Sequence, residues 1–220
     1  MLEASALAEM DRAFRNDPRI IRDLVIALQD KIQACEARQH PYGFTVVTLG
    51  IIPGRHRIVY RLHIWPIGFA LPGSEDLMIH DHVYDIQSHI LAGQIVQHEY
   101  VESALGAEFA SYRGLYDGPH SVLERKPGAV RVFETAVSTF VTGHTYALPA
   151  GALHMAKVDP SVFTATILRT DYREREGDPV ILAPIDAPPS FRFERDLVGD
   201  DAIAATISAL FRELTCARSI

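Results

Sequence analysis

The stretch Ile79-His80-Asp81-His82 and the run Gly143-His144-Thr145-Tyr146-Ala147-Leu148-Pro149-Ala150-Gly151-Ala152-Leu153-His154 decide how this chain is to be read. In an extended strand, residues two apart point to the same side, so His80 and His82 aim both imidazoles at one point while Asp81 faces away. That is half of a chelate. The other half must come from a different strand, and Pro149-Ala150-Gly151-Ala152 spells a tight turn that starts a new strand just ahead of His154. His80, His82 and His154 are therefore the candidate metal ligands, three imidazoles closing on one ion inside a small β-barrel.

Outward from these clusters the texture is β-rich and repeatedly broken by glycine and proline. Strands are expected over Phe44 to Ile52, Arg57 to Trp65, Ile86 to Tyr100, Val130 to Val141 and Val162 to Arg169. Many short strands with no long helix between them argue for an antiparallel sandwich or barrel, not a parallel α/β sheet. Helices are expected at both ends. Asn16-Asp17-Pro18 reads as a helix start, with Asp17 as the cap, followed by a stripe of Ile21, Leu24, Val25, Leu28 and Ile32. Asp200 or Asp201 can cap a second helix whose stripe is Ile203, Ile207, Leu210, Phe211 and Leu214. Pro184-Ile185-Asp186-Ala187-Pro188-Pro189-Ser190 breaks regular structure between the barrel and that helix. The expected division is one domain, mainly β, with an N-terminal helical segment over residues 1–40, a barrel over 41–183, and a linker with the C-terminal helix over 184–220. The Gly106 to Gly128 region is expected to be a loop over the barrel mouth.

The 220 residues are 48% hydrophobic and 22% charged, an ordinary globular composition. The formal net charge of −7 supplies no basic stripe, so nucleic acid and an anionic membrane are not expected partners. Met1-Leu2-Glu3-Ala4-Ser5 lacks a basic region followed by an apolar one, and no stretch is apolar for long enough to span a bilayer. A soluble, cytoplasmic protein is expected. Cys35 and Cys216 lie at opposite ends of the chain without the spacing of a zinc knuckle or redox pair.

With these residues in place, the sequence resembles the cupins. Their second motif, G-x5-P-x-G-x2-H-x3-N, is met at Gly143, Pro149, Gly151 and His154. Their first, G-x5-H-x-H-x3,4-E-x6-G, is met at His80, His82 and Gly93, with Ile90-Leu91-Ala92-Gly93 similar to the family's usual ending. The resemblance runs from about Leu62 to Arg169 and implies a jelly-roll barrel with a divalent metal. Two positions depart from it: the metal-binding glutamate is replaced by Ile86 and the final asparagine by Val158. Gln87 would fill the glutamate position under the longer spacing and offers a weak amide ligand. Three imidazoles alone leave the ion its full charge and open positions, which favours anionic, chelating substrates. Within the family, the segment around His80 and His82 looks closest to the thiol dioxygenases, typified by cysteine dioxygenase. That likeness implies Fe(II), dioxygen and a small thiol- or carboxylate-bearing substrate. Nickel, manganese, copper and zinc suit the same ligands. The crosslinking cysteine and the serine-histidine-tyrosine arrangement of that group are not found.

Three further side chains are candidate catalytic or substrate groups. Arg61 shares a strand face with His63 and Trp65 and can pair with a substrate carboxylate, or lie at a solvent-facing edge. Tyr84, just after the ligand pair, can donate a proton or simply close a turn. His63 is a polar group for the pocket or a satisfied core histidine. Arg55 and Arg57 read as turn residues, and His89 as a surface or intersheet histidine. Three functions compete: an Fe(II) oxygenase; a redox-neutral metal-dependent lyase or isomerase using Tyr84, His63 or Glu99 as base; and a non-catalytic metal- or ligand-binding barrel. Pairing of two copies through exposed sheet edges is an expectation of the barrel architecture.

Overall fold

The computed structural model describes residues 1–69, 77, 79–117, 120–172 and 177–216. The elements, in order, are α1 (Ala4–Asn16), a 3₁₀ turn (Pro18–Ile20), α2 (Ile21–Ala27), α3 (Gln29–Gln33), β1 (Ala37–Gln39), β2 (Thr45–Ile52), β3 (Arg57–Trp65), β4 (Ile79–His80), β5 (Asp85–Ala92), β6 (Gln94–Asp117), β7 (His120–Val141), β8 (Thr145–Leu148), β9 (Leu153–Lys157), β10 (Thr164–Tyr172), β11 (Val180–Ala183), β12 (Ser190–Glu194) and α4 (Asp200–Cys216).

The strands form two antiparallel sheets, ordered β1-β2-β3-β10-β5-β8 and β11-β4-β9-β6-β7-β12. From β3 to β10 the pairing is nested: β3 with β10, β4 with β9, β5 with β8, β6 with β7. Successive strands change sheets on the way to the β6–β7 hairpin and again on the way back. A long hairpin rolled up on itself gives this order, which is the topology of a jelly roll. The expected mainly β barrel with terminal helices is therefore present.

Strand alternation assigns the two faces of the first sheet. Tyr60, Leu62, Ile64, Ala165 and Ile167 turn outward and are sealed by the helices, including Leu7, Met10 and Phe14 of α1, Ile21 and Val25 of α2, and Ile207, Leu210 and Leu214 of α4. Both predicted stripes are packing surfaces. Asp17 accepts from the Arg19 amide as the expected cap, although the chain makes a 3₁₀ turn before α2. α1 was not foreseen. Its Leu7 Cδ1 lies 2.6 Å from where a side chain on Gly50 would begin, so that glycine is the seat of the helix.

Three expectations are corrected. The Ile86–Tyr100 strand is two strands in different sheets, because Gly93 turns the corner at φ 74°, where a Cβ would meet the Phe163 carbonyl oxygen at 2.4 Å. In its described residues, 106–117 and 120–128, the Gly106–Gly128 region is no loop. It is the distal half of β6 and β7, and the Pro127-Gly128 signal marks a bulge in register opposite Ser111. A larger bulge sets Glu102 and Ala107 both opposite Val132. Beyond it β6 turns to pair with β11, closing a ring through β4 and β9 around Ile79, Val132 and Leu182. Third, Pro184 to Pro189 is irregular as predicted, but the segment then forms β12, paired to β7, before α4.

Candidate metal centre

The two histidine clusters are stapled to each other by backbone geometry. His80 is the register partner of His154 across β4 and β9. Gly151 N–H donates to the His82 carbonyl at 2.9 Å, and Ala150 N–H donates to Asp85 Oδ1 at 2.9 Å. Gly151 holds φ 81°, the conformation that lets the Pro149-x-Gly151 turn present both amides. Asp81, on the other face as alternation requires, accepts from Val180 N–H at 2.6 Å while its own N–H donates to Val180 O at 2.9 Å. The two-residue strand β4 is thereby tied on both sides, and the imidazoles of its loop end have a fixed base.

The ligand atoms of His80, His82 and His154 lie within 4.8 Å of one another, and among the described residues they form the group able to hold a metal ion. Ring centroids are 4.8 Å (His80 to His82), 4.5 Å (His80 to His154) and 5.1 Å (His82 to His154) apart. His154 Nδ1 sits 2.9 Å from the Ala152 carbonyl, which can only accept, so the proton stays on Nδ1 and the Nε2 lone pair is free for a cation. Burial, then the His80 charge, hold the His154 pKa down at about 3, and burial pushes His82 well below the usual histidine range. Neutral imidazoles with lone pairs directed inward are what a divalent transition metal requires.

Ile86 faces inward among Leu148 and Leu168, so the family's glutamate position is apolar. Gln87 is the register partner of Arg169, which bonds Asp11 of α1, so it lies on the helix side of the sheet and points away from the centre. The alternative amide ligand is thus excluded by register.

The other predicted residues fall around the centre on two walls. Tyr84 stacks on His82 with ring centroids 4.9 Å apart and planes 17° from parallel. Arg61 faces inward, its Nη1 donating to Thr170 Oγ1 and its Nη2 to the Tyr172 hydroxyl, both at 2.9 Å, with its guanidinium carbon 5.9 Å from the Tyr84 ring. His63 stands on the second wall beside Phe44 and Trp65, its pKa lowered to about 3 by burial and by the charges of Arg61 and Arg195. Arg57 is exposed and covers the Tyr172 ring at 4.2 Å. His89 is not at the surface: it is 2% exposed, with Nδ1 2.8 Å from Thr145 Oγ1, on the side of the sheet away from the metal centre.

Sequence reasoning missed Tyr172, Tyr42, His40 and Arg195. The Tyr172 ring is 4.5 Å from Tyr84, and the Tyr42 ring is 5.7 Å from His80. His40 stacks on Phe44 at 4.2 Å, its pKa well below normal through burial and the charges of His63, Arg195 and His80. Tyr172 had a readable signal, since it continues the inward parity of Leu168 and Thr170 beyond the predicted strand end. His40 and Arg195 had none. They meet because Arg38 bridges to Leu197 and Gln39 N–H donates to the Asp196 carbonyl, bringing the segment after β12 alongside β1.

No protein-family model matches the chain, and no curated protein sequence does. Among solved structures, the chain is similar to the crystal structure of DMSP lyase DddQ from Ruegeria pomeroyi DSS-3, at 16% identity, a TM-score of 0.38, and coverage of 81% of this chain and 77% of that one. Likeness at that level carries no chemistry. The nested strand order and the three-histidine cluster, which come from the chain itself, fit a cupin. No helix among the described residues is long and apolar enough to cross a membrane.

Proposed function

We propose that the protein is a mononuclear metal-dependent cupin enzyme of the non-haem Fe(II) oxygenase type, acting on a small anionic molecule that carries a thiol or carboxylate. The observation that carries this reading is the donor set. Three imidazoles converge while the position of a fourth, anionic ligand is filled by Ile86. Iron(II) bound by such a set would keep its charge and adjacent open positions, and so would supply binding of an anionic substrate beside dioxygen.

The chain's own residues divide the remaining work. Arg61, held by Thr170 and Tyr172, would meet a carboxylate through the N–H edge of its guanidinium. The Tyr84 phenol, fixed by stacking on His82, stands where it can donate a hydrogen bond or proton to a group on the substrate. His63, neutral in the working pH range, can accept a hydrogen bond but adds no charge. Thiol dioxygenases are the nearest likeness in the segment around His80, although no cysteine lies near the motif. Anaerobic purification with metal analysis, followed by oxygen-uptake assays with thiols, amino acids and diketones, tests the proposal. Iron content with substrate-dependent oxygen uptake supports it; zinc occupancy with no oxygen consumed by any of these overturns it.

A second reading has its own observation. A phenol stacked on a metal ligand is well placed as a base, which suits a redox-neutral lyase or isomerase. It requires turnover by zinc-loaded protein without oxygen, lost in Tyr84→Phe while metal content is kept.

A further inference from the structure

Behind the metal centre, the inner face of the barrel carries buried hydrogen-bonding atoms that the centre does not use. Gln97 on β6 is the register partner of Ala156 on β9, two residues from His154 and therefore on the same face. Ala156 packs on the apolar floor of the barrel, formed by Phe44, Val46, Trp65, Ile90 and Ile95. Gln97 thus lies between that floor and the three histidines. It is 1% exposed, and neither Oε1 nor Nε2 has a hydrogen-bond partner among the described residues. From the opposite sheet, Thr166 is the register partner of His63 and so also faces inward; it is 1% exposed, and its Oγ1 is equally without a partner.

Three unpartnered polar atoms in a closed interior are a liability for folding, since apolar side chains of the same shape would remove the penalty. Their presence on the face behind the three histidines is explained if a ligand supplies the missing bonds. The residues flanking Gln97, Ala156 on one side and Ser138 on the other, are both small.

We propose that Gln97 and Thr166 form a second subsite that binds a neutral group able both to donate and to accept, a primary carboxamide or a hydroxyl, at the end of the substrate remote from its metal-binding anion. The inference rests on the reading of the three-histidine centre given above. The carboxamide of Gln97 presents one acceptor and one donor edge. A carboxylate would leave Oε1 without a partner, and an ammonium would leave Nε2 without one. A hydroxyl or carboxamide satisfies both. The step from His154 to Ala156 along β9 is about 7 Å, which two or three carbons between the anion and the neutral group would span.

The test uses the full chain loaded with cobalt(II), whose visible absorption reports anions arriving at the metal. Succinamate and its apolar isostere 4-methylpentanoate are titrated into wild type, Gln97→Leu and Thr166→Val. The expected result is at least ~10-fold tighter binding of succinamate by wild type, consistent with the discrimination shown by sites built to pair a polar group. Gln97→Leu should remove that preference, with cobalt stoichiometry and 4-methylpentanoate affinity unchanged and an unfolding midpoint equal to wild type or higher. Thr166→Val should reduce it, and carries the test if Gln97→Leu does not fold. Equal affinity of wild type for the two probes, failure of both to bind, or a preference that survives in the variants would overturn the subsite. A lowered midpoint in Gln97→Leu with the preference intact would assign Gln97 a structural role instead. A protein that takes up no cobalt would overturn the metal centre itself, a distinct outcome from a cobalt-loaded protein without preference.

Discussion

At the scale of single residues, the three-histidine cluster is held by groups outside it. His154 is oriented by the Ala152 carbonyl, and removing its ring removes one of three donors, so His154→Ala is expected to weaken metal binding by at least ~100-fold, the upper end of what the loss of a supporting group alone costs. Calorimetric titration with cobalt or zinc measures it. Asp81 makes the more discriminating case, because it faces away from the three histidines yet fixes β4 through Val180. Asp81→Ala leaves the Val180 N–H without its side-chain acceptor, which is expected to cost about 1–3 kcal/mol of stability. It should also loosen His80 and His82 together, lowering metal affinity by about 10-fold. Asp81→Asn keeps an acceptor oxygen and should restore most of both losses. Equal metal affinity in Asp81→Ala and wild type would show that the strand needs no such tether. The three-histidine cluster was legible in the sequence because such a group needs fixed spacing within a strand and a turn before the third histidine. The walls were legible only in part: Tyr84, Arg61 and His63 stood out beside the motif, whereas Tyr42, His40 and Arg195 are brought in by distant chain segments.

At the scale of elements, the glycines separate a corner that must be glycine from turns that merely favour it. Gly93 combines a left-handed φ of 74° with backbone and side-chain atoms of Phe163 and Thr164 within 3 Å of any added Cβ. Gly143 has φ 88° but open space around it. Gly143→Ala is therefore expected to cost only the backbone penalty, about 1–2 kcal/mol, whereas Gly93→Ala should cost clearly more, because β5 and β10 must also move apart. Urea unfolding of the two variants gives the comparison, and equal losses would refute the steric argument. The same glycine explains what could be read of the strands. Alternation and β-branched residues located β2, β3 and β10 well, since each has one face to the helices and one to the interior. The pattern continues unbroken through Gly93, so periodicity alone fused β5 with β6. The distal hairpin was hidden for the opposite reason: its bulges reset the alternation, and Pro127-Gly128 resembles a turn when it is a bulge. α1 escaped notice because its buried residues, Leu7, Met10, Asp11, Ala13 and Phe14, include a charged one. Asp11 pairs with Arg15 one helical turn on, and its burial is matched in three dimensions by Tyr60 at 2.7 Å and Arg169 at 2.9 Å.

At the scale of the whole molecule, the interior is built on histidines that are neutral when folded, and this fixes how stability depends on pH. Burial lowers the His89 pKa to about 4, and burial with the charges of Arg61 and Arg195 lowers His63 to about 3. In the unfolded chain both take up a proton near pH 6.5. Above that value neither state is protonated, so the full stability is present. Between pH 6.5 and about 4 the unfolded chain binds a proton at His89 and the folded chain does not, so stability falls as pH falls. For His89 alone the slope is about 1.4 kcal/mol per pH unit over that window, reaching roughly 3 kcal/mol at its lower end. His63 continues the decline toward pH 3. Free carboxylates titrate mostly below this window, so the loss between pH 6 and 4.5 belongs largely to the histidines. Metal-free protein unfolded in urea at pH 7, 6, 5 and 4.5 should show the decline, and His89→Gln should flatten it by one proton although it starts from a lower stability. A His89→Gln slope equal to wild type would mean that this residue enters the folded state already protonated, contrary to its burial against Thr145.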